Sequence, residues 1–190
     1  MTGQAHDVVL LEHRDFKLCT VRGTGLFEME KVAFRPPPAS TACWRGYCVT
    51  YAIEESDFLV DSIVTSCPGT PPAVMGVQAE KLDGPHPCGN LVYRPRQQVE
   101  FTGRFLIGHD LIRTLYVHGG FQDAWKFNEV LEVKVQSGQV LQITDRTLEI
   151  SRVRDLMVNR VPEKHSAEQK KLLQWYQTLE PSDGEGLILL

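Results

Sequence analysis

No apolar run in this 190-residue chain approaches the roughly 18 residues that a membrane-spanning helix needs. Its opening, MTGQAHDVVLLEHRDF, puts no basic segment ahead of an apolar one, and Glu12, His13, Arg14 and Asp15 interrupt the first apolar stretch at once. Membrane insertion and a secretion signal are therefore disfavoured, and a cytoplasmic protein is expected. There is no excess of positive charge either: the net charge is -4 and the sequence pI about 5.9. General nucleic-acid binding draws on a basic field to collect phosphates, so that class is disfavoured, although a local basic patch stays open. The motifs of phosphate loops, zinc metalloproteases, EF-hands and zinc deaminases are missing, as is the G-x-S-x-G turn of acyl-transfer enzymes. No cofactor is expected, and no internal repeat of fixed period is evident.

Cysteine pairing signals are also scarce. Cys19, Cys43, Cys48, Cys67 and Cys88 are odd in number, and no two show the compact two-residue spacing of a zinc knuckle. Cys43 and Cys48 are separated by four residues, and Cys67, His86 and Cys88 could complete a ligand set in space. The expectation is nonetheless five reduced cysteines, behaving as small hydrophobes, and no metal.

What is present is strand pattern. At 42% hydrophobic and 23% charged residues, the chain is sized for one globular domain over 1–190. Residues 101–143 carry the strongest signals: Leu131, Val133 and Val135 alternate with Glu132, Lys134 and Gln136, Ser137-Gly138 turns the chain, and Val140–Ile143 returns. A second hairpin is expected over residues 43–65. There, alternation puts Arg45, Tyr47, Val49, Tyr51 and Ile53 on one face and Trp44, Cys48, Thr50 and Ala52 on the other, around an acidic loop, Glu54–Asp57. Val8–Leu11, Phe16–Val21 and Leu26–Phe34 read as further strands. Gly23-Thr24-Gly25 begins like a dinucleotide loop but lacks the third glycine and the following helix, so a turn or bulge is the better reading.

Arg35-Pro36-Pro37-Pro38 must be an extended connector. Residues 67–89 shift to proline, glycine and small side chains, with room for a short strand at Ala73–Val77, and are read as a lid or contact loop. Ser166 with Gln169 forms a capping box ahead of the helical stripe Leu172, Leu173, Tyr176 and Leu179, so a C-terminal helix near 166–179 should close one end of the sheet. The tail Leu187–Leu190 is apolar but too short for an anchor. The fold expected is mainly β: a curved antiparallel sheet or partly closed barrel with one C-terminal helix.

Two segments, Trp44-Arg45-Gly46-Tyr47 and Gly103–Gly108 leading to Tyr116-Val117-His118-Gly119-Gly120-Phe121, resemble a group of small uncharacterised bacterial proteins. The resemblance spans roughly 44–143 and implies no established activity. By analogy with small acidic proteins of that kind, it suggests an inhibitor or immunity role.

Among candidate site residues, Arg45 and Tyr47 combine a cationic fork with a phenol, and Tyr116 and His118 fall on one face if their segment is a strand. Together these four would line a pocket at the sheet mouth suited to an anionic ligand. His109-Asp110 offers a base beside a carboxylate, but neighbours on a strand point to opposite faces, which argues against their acting together. Trp44, Trp125 and Phe127 are core or recognition residues. The overall expectation is a binding protein rather than an enzyme, its partner a protein or a small anionic ligand.

Overall fold

The alternating segments are extended in the computed structural model, which describes residues 2–32, 34–159 and 165–179; element counts below refer to these residues. The tail at 187–190 lies outside them. The chain runs through β1 (Val8–Leu11), β2 (Arg14–Thr24), β3 (Tyr47–Glu54) and β4 (Asp57–Thr65). The short strands β5 (Glu80–Lys81), β6 (Leu91–Tyr93) and β7 (Gln97–Gln98) follow, then the long β8 (Thr102–Leu111), β9 (Phe127–Gln136) and β10 (Gln139–Asp145).

These strands form one ten-stranded sheet in the order β10-β9-β8-β2-β1-β3-β4-β6-β5, with β7 beside β4. The sheet curves until β10, at one end, meets the inner strand β4: they pair at Gln139 and Asp57, turning the run from β4 to β10 into a ring. Neighbours are antiparallel except for β1 and β3, which are parallel. The expected mainly β fold with a curved sheet is what the chain adopts.

Period-two alternation sorts side chains into and out of the ring. Tyr47, Val49, Tyr51 and Ile53 of β3 face inward, joined by Phe58 and Val60 of β4, Phe105 and Ile107 of β8, and Val133 and Val135 of β9. Tyr51 stacks on Phe58 with ring centroids 4.9 Å apart, and Phe58 meets Phe105 at 5.1 Å. Burial of each such side chain contributes about 1.5–3 kcal/mol. The terminal hairpin turns at Ser137 and Gly138, whose φ values of 46° and 79° suit a two-residue turn that follows sheet twist.

Leu106, Phe127 and Val130 face outward and are covered by two helices, α2 (Thr147–Val158) and α3 (Ala167–Gln177), through Ile150, Val153 and Tyr176. The expected capping box opens α3: Gln169 N donates to Ser166 Oγ at 3.2 Å and Ser166 N to Gln169 Oε1 at 2.7 Å. At its other end Arg22 and Arg104, from β2 and β8, both donate to the carbonyl of Thr178, satisfying an end-of-helix acceptor and holding α3 to the sheet. Helix α2 is not among the elements expected, although Ile150, Val153 and Met157 recur at helical spacing. In place of the strand expected at 26–34 the chain makes a four-residue helical turn, α1 (Met29–Val32).

The cysteine expectation is corrected. Cys48 on β3 and Cys88 are joined by a disulfide across a sequence separation of 40. No spacing rule exposes this pair, because β4 creates it: Cys48 pairs in register with Val64, and Val64 with Val92, so β6 delivers the segment carrying Cys88 beside β3. The proline-rich segment is further fixed by Val74, fully buried in the main core, and by Tyr93 Oη donating to the Pro72 carbonyl at 3.0 Å.

Candidate functional site

A cavity of about 310 Å³ opens beside β2 and β8, and its walls come from residues far apart in sequence. Lys17 pairs in register with Gly108, setting a cation at one side of a stretch that continues through His109 and Asp110. Phe127 forms part of the wall. A Cβ on Gly108 would stand 2.5 Å from its ring, so only glycine lets strand and ring approach this closely.

The position of His109 decides its chemistry. Its Nδ1 lies 2.8 Å from the Asp15 carbonyl, which can only accept, so Nδ1 carries the proton and Nε2 is the basic nitrogen of the neutral ring. Asp110 has φ 58°, a left-handed value rare for a residue with a side chain. That conformation breaks the strand alternation, and His109 and Asp110 consequently both line the cavity, contrary to the expectation from a regular strand. Asn128 Nδ2 donates to Asp110 Oδ2 at 2.7 Å and fixes the carboxylate.

The roof comes from Tyr116 and Gln122 in residues 112–123, where a 3-10 turn at Arg113–Leu115 leads into irregular chain, so Tyr116 and His118 do not lie on a strand as expected. The buried Gln122 side chain holds it by bracketing Val117, accepting from its N–H at 3.0 Å and donating to its carbonyl at 2.9 Å. Tyr116, one residue before, lines the cavity, and its hydroxyl accepts from Gly3 N at 2.9 Å while keeping its own O–H to donate. His6 backs this wall: Gln122 N donates to its Nε2 at 2.9 Å, so its Nδ1 is the protonated nitrogen, donating to the Leu18 carbonyl at 2.8 Å. Burial holds the His6 pKa below its ordinary value, with Lys17 acting in the same direction and the Leu18 bond opposing.

The four residues singled out from sequence fall into two pairs. Tyr116 and His118 meet edge to face at 5.1 Å, and Tyr116 is in the cavity wall. Arg45 and Tyr47 also meet, the guanidinium 4.2 Å from the ring centroid, but neither lines the cavity. Arg45 instead donates at 2.5 Å to Asp7 Oδ1, with side chains only 9% and 1% exposed, and at 3.2 Å to the Tyr47 carbonyl. Asp7 Oδ1 also accepts from Val49 N at 2.7 Å, tying β1 to β3. Burial acts to lower the Arg45 pKa, and the Asp7 carboxylate outweighs it, leaving the guanidinium firmly charged. Burial pushes the Tyr47 phenol up to about 12.

Of the aromatics, Phe127 is core and Trp125 half-buried, whereas Trp44 is 49% exposed. A larger space of about 690 Å³ lies between α2 and α3, among solvated charges of both signs such as Arg152, Asp155, Glu168 and Lys171. The smaller cavity is the better candidate because hydrogen bonds fix the polar groups around it. Comparison of the chain with protein-family models, curated proteins and solved structures gives no match. No helix of the described residues is long and apolar enough to cross a membrane.

Proposed function

We propose that this protein is a binding protein whose cavity beside His109 takes a small polar ligand. The observation that carries the reading is the gathering of Lys17, His109, Asp110 and Tyr116 around about 310 Å³, a volume at the small end for ligand sites. Lys17 and the Tyr116 hydroxyl offer donors to an anionic or carbonyl group; Asp15 and Asp110 offer acceptors to an ammonium or amide. With both signs present, a ligand that carries both, such as a free amino acid, matches better than a simple anion. The test is an NMR titration with free amino acids and with small mono- and dicarboxylates. Saturating shifts at the Gly108–Leu111 amides, lost in Lys17→Ala and His109→Ala, are expected; no saturation at millimolar concentrations, or shifts centred elsewhere, would refute the reading.

A protein-binding surface, of the kind an inhibitor or immunity protein presents, is the second reading, and exposed Trp44 supports it. Residues 2–5 stitch its loop to the Tyr116 loop: Ala5 N donates to Ala42 O and Gln4 N to Gly120 O, while Trp44 N donates to Gln4 Oε1. Trp44, Tyr116 and Val117, at 49%, 37% and 43% exposure, thus stand on linked loops with the composition of an interface anchor. Trp44→Ser should abolish association with such a partner at an unchanged urea midpoint. Equal association by both proteins sets this reading aside.

A further inference from the structure

The Cys48–Cys88 disulfide has a third sulfur beside it. The Sγ atoms of Cys43, Cys48 and Cys88 all lie within 4.8 Å of one another, and all three residues are buried. They come from separate pieces of chain. Cys43 sits in the turn after residue 40, where its N–H donates to the Ser40 carbonyl and its carbonyl accepts from Ala39 N, both at 3.1 Å. Cys48 is in β3, and Cys88 closes the proline-rich segment, its N–H donating to His86 Nδ1 at 3.2 Å. The apolar side chains around them are Val64 and Val92 with Ala5, Ala39 and Leu82, and the Arg45–Asp7 ion pair lies near enough to act on Cys43. A disulfide needs two sulfurs; the third thiol is unexplained by it.

We propose that Cys43, Cys48 and Cys88, once the disulfide is reduced, form a three-thiolate site for a single zinc ion. A dithiol reductant would supply two protons and two electrons to the Cys48–Cys88 bond, closing its own disulfide and leaving three thiols. Zn²⁺ then displaces one proton from each thiol and forms three Zn–S bonds of about 2.3 Å. That bond length in a tetrahedral arrangement sets sulfurs roughly 3.8 Å apart, so on reduction Cys48 and Cys88 move apart from bonding distance while Cys43, already within 4.8 Å of both, stays close to its place. The turn that carries Cys43 is closed by Gly46 N, which donates to the Cys43 carbonyl at 3.3 Å and so holds this residue beside the other two. Three thiolates carry three negative charges, and a divalent ion leaves one where a monovalent ion leaves two. Away from bulk water that difference favours a divalent ion. A water would complete the tetrahedron as fourth ligand.

The disulfide and the metal are therefore alternative states of one set of atoms. The test uses the full chain reduced with a phosphine, exchanged anaerobically into reductant-free buffer and given one equivalent of Zn²⁺. Native mass spectrometry should show one zinc per chain, and competition with a chromophoric chelator should give binding at least 100-fold tighter than in Cys43→Ser. That variant keeps the disulfide pair, so its oxidised form reports folding separately from metal. Cys67→Ser, which leaves the three sulfurs intact, should bind zinc as the native chain does. Failure of the reduced chain to hold one zinc, equal affinity in Cys43→Ser, or loss of zinc in Cys67→Ser would each overturn the proposal.

Discussion

Replacing Asp7 by alanine should be among the most damaging single changes in the molecule, although Asp7 lies outside the cavity. Its Oδ1 accepts from both Arg45 and Val49 N, and its side chain is 1% exposed. Removing it strands a guanidinium that cannot shed its proton, held by the Tyr47 carbonyl and ring. It also orphans the Val49 N–H. Breaking a buried ion pair from one side costs about 3–5 kcal/mol, and the extra lost bond places Asp7→Ala toward the upper end. With a urea m-value of about 2.5 kcal/mol/M for a chain of this size, the midpoint should fall by about 2 M. The companion variant Asp7→Leu with Arg45→Met exchanges the pair for apolar volume and should recover much of that loss, because no charge is left buried. Equilibrium urea unfolding followed by circular dichroism, with the disulfide intact, measures both. A midpoint shift below about 0.5 M for Asp7→Ala, or a double variant no more stable than the single, would refute the reasoning.

Gly138→Val should also destabilise, by about 2 kcal/mol or more, since φ is 79° and a Cβ would stand 2.5 Å from the Val99 carbonyl; an unchanged urea midpoint would contradict this. Acid should weaken the fold through His6. Its folded pKa is lowered below the unfolded value near 6.5, so the stability it contributes is present above that pH and is lost as pH falls through it, with a slope of at most about 1.4 kcal/mol per pH unit. Lys17, Asp7 and Asp123 modulate the shift, and His6→Gln should flatten the unfolding free energy between pH 7 and 5; an identical slope in both proteins would exclude His6 as a source.

Much of the fold could be read from residue order because its signals are local. The Ser137-Gly138 turn, the inward series Tyr47 to Ile53 and the Ser166–Gln169 cap each depend on neighbours within a few positions. What could not be read depends on contacts between distant segments. Arg45 is indistinguishable in sequence from a surface cation until β1 brings Asp7 beside it, and Cys88 meets Cys48 only through β4 and β6. Tyr116 was legible as a polar aromatic, while Lys17 carried no signal of its own. His109 and Asp110 were visible as a pair but set aside by strand alternation, which one left-handed residue undoes.

The ring closure bears on how fast the chain folds. Gln139 meets Asp57 across 82 residues, and Asp15 meets His109 across 94, so sealing the ring requires long loops to be closed before their contacts repay the entropy. The β3–β4 and β9–β10 hairpins are local and can form on the microsecond scale. Joining them around the parallel β1–β3 pair is the slow event, and topologies dominated by such distant pairings fold in milliseconds to seconds. A substitution at the Gln139–Asp57 seam should therefore act mainly on the refolding rate.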